Sequence, residues 1–268
     1  MISGQDIGQL FMAGMVPGTL LVVLFMATSL LITAVRPEYG PRGKALPFVD
    51  TLRASYSTWP VLFLFVIIIG GIYSGVFTPN EAAAVGCAGA FLFGAFRGHF
   101  LELQELREVF EDAISTASML FAILFAALVF GQFLNLSGMP AQLLQLILSL
   151  GLGPSGLVLV ICLVCIALGT VFESIGILLL ITPIFLPALG ALGVNLIWFG
   201  ILTVIVVELG LIIPPLGMNV FTVKTMAPDI SLGAIFLGVM PYVGAMFLAG
   251  LLILLFPEIA VWLPSVMR

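Results

Sequence analysis

The chain has 268 residues, of which 62% are hydrophobic and 8% charged, with a formal net charge of -5 and a mean hydropathy of +1.32. A soluble domain carries roughly 25% charged residues, so this composition excludes a water-soluble globule. The 8 basic residues form no patch, which excludes nucleic acid as a partner.

Apolar runs of about 20 residues recur, and such runs cross a bilayer as α-helices rather than barrel strands. The N-terminal MISGQDIGQLF lacks the basic region of a signal peptide. A first span is predicted from Gln9 to Val35. A polar loop follows, whose second part, from Leu46, reads as a short helix at the interface. A second span is predicted from Pro60 to Val76. In FTPNEAAA, Thr78 reads as an N-cap, with Pro79 at the first helical position and Glu81 completing a capping box. The span that starts there is predicted to end at Phe96.

RGHFLELQELREVFEDA has Phe100, Leu103, Leu106 and Phe110 at helical spacing with acids between them, an amphipathic surface helix. His99 at its start reads as a solvated side chain. A fourth span is predicted from Ile114 to Leu134, then a short amphipathic piece, AQLLQLILSL. Two apolar segments of about 15 residues follow, SGLVLVICLVCIALG and GILLLITPIFLPALG, each too short to cross roughly 30 Å of hydrocarbon. They are joined by TVFES, Thr170 to Ser174, and the pair reads as a re-entrant hairpin. Cys162 and Cys165 form a C-x-x-C inside the first segment. No His or further Cys lies nearby, so they read as small apolar side chains, like Cys87. A fifth span from Asn195 to Met226 is interrupted, and a last span runs from Leu232 to Phe256. With the N-terminus outside and the hairpin returning to its own side, every basic residue except Arg268 falls inside, as cytoplasmic loops require.

The interruption is ELGLIIPPLGMN, Glu208 to Asn219. Pro214 and Pro215 remove two N–H donors, and Gly210 and Gly217 let the backbone bend. Carbonyls around Gly210 and Leu211 are expected to lose their helical partners and become hard oxygen ligands for a small cation. The N–H groups that open the second half-helix, around Met218 and Asn219, suit an anion. Irregular backbone at membrane depth is tolerated only where protein buries it or where it lines a cavity. The tip supplies hydroxyls on Thr170 and Ser174, a carboxylate on Glu173, and flanking Gly169 and Gly176. Glu173 and Glu208 each read either as an ion ligand or as a structural acid with a partner. Thr182 and Thr203 read as bonding back to their own helices. The chain contains no Ser-His-Asp set, no metal-ligand cluster and no phosphate loop. This points to ion and substrate handling, not to an enzyme and not to a bound cofactor.

At these residues the sequence resembles a known family. FESIGILLLITPIFLPALGALGVNLIWFGILTVIVVELGLIIPPLGMNVFTVKTMAPDISLG, GGIYSGVFTPNEAAAVG and FPEIAVWLPSVM are similar to the large membrane subunit, DctM type, of TRAP transporters, and to its C-terminal half in particular. The resemblance implies an all-α fold with about six full transmembrane helices, one re-entrant hairpin and one interrupted helix, half of an inverted-repeat elevator. It assigns 1–96 mainly to scaffold helices with a cytoplasmic loop at 36–58, and 97–112 to an interfacial arm. It assigns 113–231 to the transport domain, with the hairpin at 155–190 and the interrupted helix at 194–226, and 232–268 to a C-terminal helix. It implies sodium-driven uptake of an organic acid, a dicarboxylate, keto acid or sugar acid, across a bacterial or archaeal inner membrane. It implies three partners: a small four-helix membrane subunit, an extracytoplasmic solute-binding protein, and a chain supplying the N-terminal repeat that this sequence does not contain. Thr170 to Gly176 and Gly210 to Asn219 would frame a sodium site and one wall of the substrate site. A truncated or accessory membrane subunit with an assembly role and no transport of its own is the alternative.

Overall fold

The computed structural model describes residues 4, 6–40, 48–98 and 103–266, the side chains of 48–57 excepted. Among them lie eleven α-helices and no strand, so the all-α expectation holds. The helices are α1 Ile7–Val35, α2 Phe48–Tyr73, α3 Pro79–Phe96, α4 Leu103–Leu136, α5 Met139–Ser149, α6 Pro154–Gly169, α7 Ser174–Ala191, α8 Leu196–Gly210, α9 Met218–Met226, α10 Leu232–Leu255 and α11 Glu258–Val266. The surface helix expected at 97–112 falls partly on residues outside the described set, His99 among them.

Four boundaries differ from the sequence reading. The piece expected at the interface from Leu46 and the span from Pro60 are one helix, α2, which runs through Pro60. The amphipathic segment and the fourth span are likewise one helix, α4, of 34 residues. No proline and only Gly131 interrupts it, so nothing in the chain stops the helix between them. The last helix, α11, went unread. Pro257 ends α10, and Glu258 opens the next helix. Finally, α7 has 18 residues and is apolar enough to cross a membrane, as are α1, α4 and α10. The length argument for a re-entrant hairpin therefore rests on the 16-residue α6 alone.

The chain divides into two compact units, residues 38–120 and residues 1–37 with 121–268. In the smaller unit α2 packs on α3. Small residues set the approach: a Cβ on Gly89 would come within 2.3 Å of Leu64, and one on Gly86 within 2.8 Å of Ile68. Phe93 meets Trp59 and Phe63 edge-on at 5.7 and 6.4 Å. The expected capping box at the start of α3 is present. The Thr78 N–H and hydroxyl both donate to Glu81 at 2.8 Å, and the Glu81 N–H returns to Thr78 Oγ1 at 3.4 Å.

In the larger unit α8 is the hub, packed against α1, α6, α7, α10 and α11. Its sequence, LIWFGILTVIVVELG, is apolar on all sides, the pattern of a helix surrounded by others. Leu157, Ile161 and Cys165 of α6, Ile177 and Ile181 of α7, and Leu202 and Val207 of α8 are fully buried in this core with Ile253 of α10. Both C-x-x-C thiols are buried and free, consistent with their reading as packing residues.

Prolines decide one polar contact in this core. The carbonyl of Ile253 would bond the N–H of residue 257, but that residue is proline. The buried indole of Trp198 takes its place, donating to Ile253 O at 2.8 Å and tying α8 to α10. On the other side of the unit, Ser29 of α1 and Tyr242 of α10 share a hydrogen bond of 2.8 Å. Thr182 and Thr203 bond back to Leu178 O and Phe199 O, as their positions predicted.

The Trp198→Phe variant keeps the ring but strands the Ile253 carbonyl. It is expected to lose about 1–3 kcal/mol of stability, read as a lowered thermal unfolding midpoint in detergent. An unchanged midpoint would contradict this role.

Candidate functional site

The site is built by two helices that end at the same place. Gly169 is the last residue of α6, and Gly210 the last of α8. A Cβ built on Gly169 would lie 2.8 Å from Gly210 Cα and 3.1 Å from Val207 O. A Cβ on Gly210 would lie 2.7 Å from Gly169 Cα and 3.0 Å from Ile166 O. The two backbones are thus in direct contact. The polar tip beyond Gly169 and the irregular segment beyond Gly210 start from one point.

At the tip, Thr170 is buried, and its hydroxyl donates to Ala167 O at 2.8 Å, leaving the oxygen lone pairs open. The N–H groups of Val171 and Phe172 both turn back to Leu168 O, at 3.0 and 2.8 Å. No backbone N–H among the described residues reaches the carbonyls of Gly169 or Thr170. Glu173 is half-buried and is the N-cap of α7. Its Oε2 accepts the N–H groups of Ile175 at 3.0 Å and Gly176 at 3.3 Å, and its Oε1 accepts the Ser174 hydroxyl at 3.2 Å. The positive end of α7 thereby compensates a carboxylate that hydrocarbon alone would not tolerate.

At the break, helical bonding stops at Gly210 and resumes at Met218. The expectation for the carbonyls changes in detail. Gly210 O accepts Ile213 N–H at 3.3 Å, and Leu211 O accepts Asn219 N–H at 3.2 Å across the break. Those two oxygens are therefore engaged. Among the carbonyls that no backbone N–H of the described residues reaches are those of Ile212 and Ile213, further on. The two prolines explain the shift: Pro214 and Pro215 cannot donate, so the segment closes through Asn219 instead. The Asn219 N–H is thereby withdrawn from anion binding. Gly217 has φ 58 and ψ 70, and a Cβ there would meet the Phe236 ring at 3.0 Å and Ile213 O at 3.3 Å. Glycine alone suits both its dihedrals and its space.

Pro214, Pro215, Leu216, Met218 and Asn219 form the exposed side of the break, and Val171 and Phe172 the exposed side of the tip. Glu208 lies half a turn before Gly210, on the less buried stripe of α8 with Ile197, Ile201 and Val204. Its carboxylate makes no hydrogen bond among the described residues. Gly176 sits in the first turn of α7, where a Cβ would touch Ile123 of α4 at 3.8 Å.

Two features escaped the sequence reading. One is the mutual contact of Gly169 and Gly210; the available signal was a glycine closing each helix. The other is the role of Glu173 as a cap, signalled by a carboxylate immediately before a helix start. Electrostatically, the carbonyl ends of α6 and α8 converge, and each carries partial negative charge. Hard oxygen donors in that field favour a cation without bound histidine or thiolate. No group of three His, Cys, Asp or Glu exists among the described residues.

Comparison with known proteins places this architecture. A family model for the DctM component of tripartite ATP-independent periplasmic transporters matches residues 1–259. The chain belongs to the DctM family. Relatives include the sialic acid TRAP transporter large permease protein SiaM of Vibrio cholerae, 31% identical over 98% of this chain and 61% of that protein. The C4-dicarboxylate TRAP transporter large permease protein DctM of Pseudomonas aeruginosa is 32% identical over 97% of this chain and 60% of that protein. The ectoine TRAP transporter large permease protein TeaC of Halomonas elongata is 31% identical over 98% of this chain and 61% of that protein. The chain spans about three fifths of the length of the curated relatives it matches. As a DctM-family member it is a multi-pass membrane protein of a bacterial transporter family, and the family is one of permeases rather than enzymes.

The capping role of Glu173 is testable on stability. Glu173→Ala is expected to cost about 1 kcal/mol and Glu173→Asn only a few tenths, measured by thermal unfolding in nanodiscs. Equal loss in the two variants would show that the carboxylate does something other than cap α7.

Proposed function

We propose that this chain is the C-terminal half of the large permease subunit of a TRAP transporter and takes up an organic acid in symport with sodium. The observation that carries the reading is the meeting of two helix carbonyl ends at Gly169 and Gly210, in a chain of this family. Half-helix ends and unwound carbonyls are what secondary transporters use to hold sodium near the membrane midplane. In this reading the ion takes oxygen ligands from the carbonyls of Gly169, Thr170, Ile212 and Ile213 and from the hydroxyls of Thr170 and Ser174. Glu173 and Glu208 add negative potential without having to be direct ligands. The exposed Pro214, Pro215, Met218 and Asn219, with the buried Gly217 setting the bend between them, form one wall of the substrate site, opposite the tip that Gly176 supports.

The substrate class follows from the relatives only in outline. Their names specify sialic acid, a C4-dicarboxylate and ectoine, compounds that share a carboxylate and little else. No arginine stands near the break or the tip in this sequence. The carboxylate of an organic acid would then be met by hydroxyls, by the open N–H of Met218, or by groups on another segment. The reading places the chain in a bacterial or archaeal inner membrane, working with a small four-helix subunit and a solute-binding protein.

Uptake by proteoliposomes holding the assembled permease and its solute-binding protein is expected to require a sodium gradient. Thr170→Ala should raise the sodium concentration for half-maximal uptake about tenfold, the equivalent of ~1.4 kcal/mol. Uptake indifferent to sodium would sink the coupling. Uptake unaffected by Pro214→Ala with Pro215→Ala would instead favour an assembly role without transport.

A further inference from the structure

We infer that Gly169 and Gly210 are a matched pair of positioning residues: their backbone-to-backbone contact fixes the hairpin tip against the break and so sets the spacing of the cation's ligands. This rests on the reading that the tip and the break hold an ion. Neither glycine is proposed to touch the ion with a side chain, since it has none.

The argument is steric and reciprocal. At most close glycines of this protein, an added methyl group would meet the end of a side chain. Gly89 faces a Leu64 methyl, Gly86 the Ile68 tip, Gly71 the Phe77 ring. Such ends can swing aside into another rotamer. At Gly169 and Gly210 the obstacles are Cα, carbonyl carbon and carbonyl oxygen of the opposite helix, at 2.7 to 3.3 Å. A backbone inside two helices cannot turn away. An alanine at either position must push α6 and α8 apart.

That displacement would land where it matters. Thr170 follows Gly169 directly, and Leu211 follows Gly210, so the first residues of the tip and of the break take their positions from this contact. Below the contact the helices are held by a dense apolar seam, with Ile161 and Cys165 of α6 and Leu202 and Val207 of α8 fully buried. Pushing the ends apart therefore splays the ligand-bearing ends while the seam below stays closed. Oxygen ligands of a small cation tolerate shifts of a few tenths of an ångström, less than a methyl group demands.

The helices leave the glycine pair into different kinds of structure. Beyond Gly169 the tip is a four-residue turn to Ser174; beyond Gly210 the irregular segment runs to Met218. Both segments thus start from one joint, at which α6 and α8 are held backbone to backbone.

The test uses the assembled permease in membrane vesicles, with Cys87 replaced by Ala and cysteines introduced at the exposed Val171 and at Ile212, each two residues beyond its glycine. A short bismaleimide is applied without sodium or substrate. The parent pair is expected to cross-link efficiently. Gly169→Ala and Gly210→Ala are each expected to slow cross-linking at least about fivefold and to raise the sodium half-saturation of uptake about tenfold, at unchanged protein level. Gly250→Ala serves as the control, because a Cβ there meets only Val206 at an ordinary 3.8 Å, and both readouts should be unchanged. Cross-linking and sodium half-saturation that are the same in the alanine variants as in the parent would overturn the positioning role. Should both alanine variants fail to accumulate, the parent pair decides alone: failure to cross-link with both glycines present overturns the proposal. Sodium-independent uptake with intact, glycine-dependent cross-linking would overturn the ion-site reading and leave the joint standing.

Discussion

One contact organises the larger unit: the touch of two glycine backbones where α6 and α8 end. Without side chains at Gly169 and Gly210, the helices approach until main chain meets main chain. The consequence is electrostatic as much as steric. Two helix C-termini carry their partial negative ends to one place, where Gly169, Thr170, Gly210 and Leu211 are buried. A polar loop leaves from each end, and each loop carries carbonyls that no backbone N–H among the described residues reaches. A cation site built this way needs no charged ligand. The carboxylate of the tip, Glu173, is already committed to capping α7.

The prolines of this chain follow a related logic. A proline inside a helix leaves the carbonyl four residues earlier without its usual donor, and apolar surroundings make that costly. Pro257 strands Ile253 O, and a tryptophan from α8 satisfies it. Pro214 and Pro215 strand a stretch of backbone in the break, and the chain closes it by the Asn219 N–H bonding Leu211 O. Among the oxygens that remain open are those of Ile212 and Ile213. In one place a side chain replaces the missing donor and makes a fixed joint; in the other, backbone N–H groups replace it, and the proposed ion sits at the oxygens further along the break.

Much of this was legible in the sequence, because apolar runs and breakers act locally. The capping box at Thr78, the break at Pro214 and Pro215, and the polar tip at Thr170 to Ser174 all announced themselves by residue type and spacing. What was illegible depends on what continues or on what lies far away. α2 and α4 run on through positions read as boundaries, because amphipathic and apolar stretches differ in surroundings, not in helical geometry. α11 hid behind Pro257, read as an ending rather than a restart. The contact of Gly169 with Gly210 joins residues on separate helices, and nothing in the spacing of either glycine names the other. The polar residues of tip and break, and the family resemblance, suggested that the two pair, while the steric reason appears only once α6 and α8 are packed together.

The central claim is that sodium binds where the tip meets the break. The most direct measurement is the labelling rate of a cysteine placed at the exposed Phe172 of the tip, in a background with Cys87 replaced by Ala. Sodium and potassium would be compared at equal ionic strength, in the assembled permease and without substrate. An ion that draws tip and break together should slow labelling several-fold in sodium and leave it unchanged in potassium, with a half-effect concentration matching that for uptake. Identical rates in the two salts would contradict the account and place the coupling ion elsewhere.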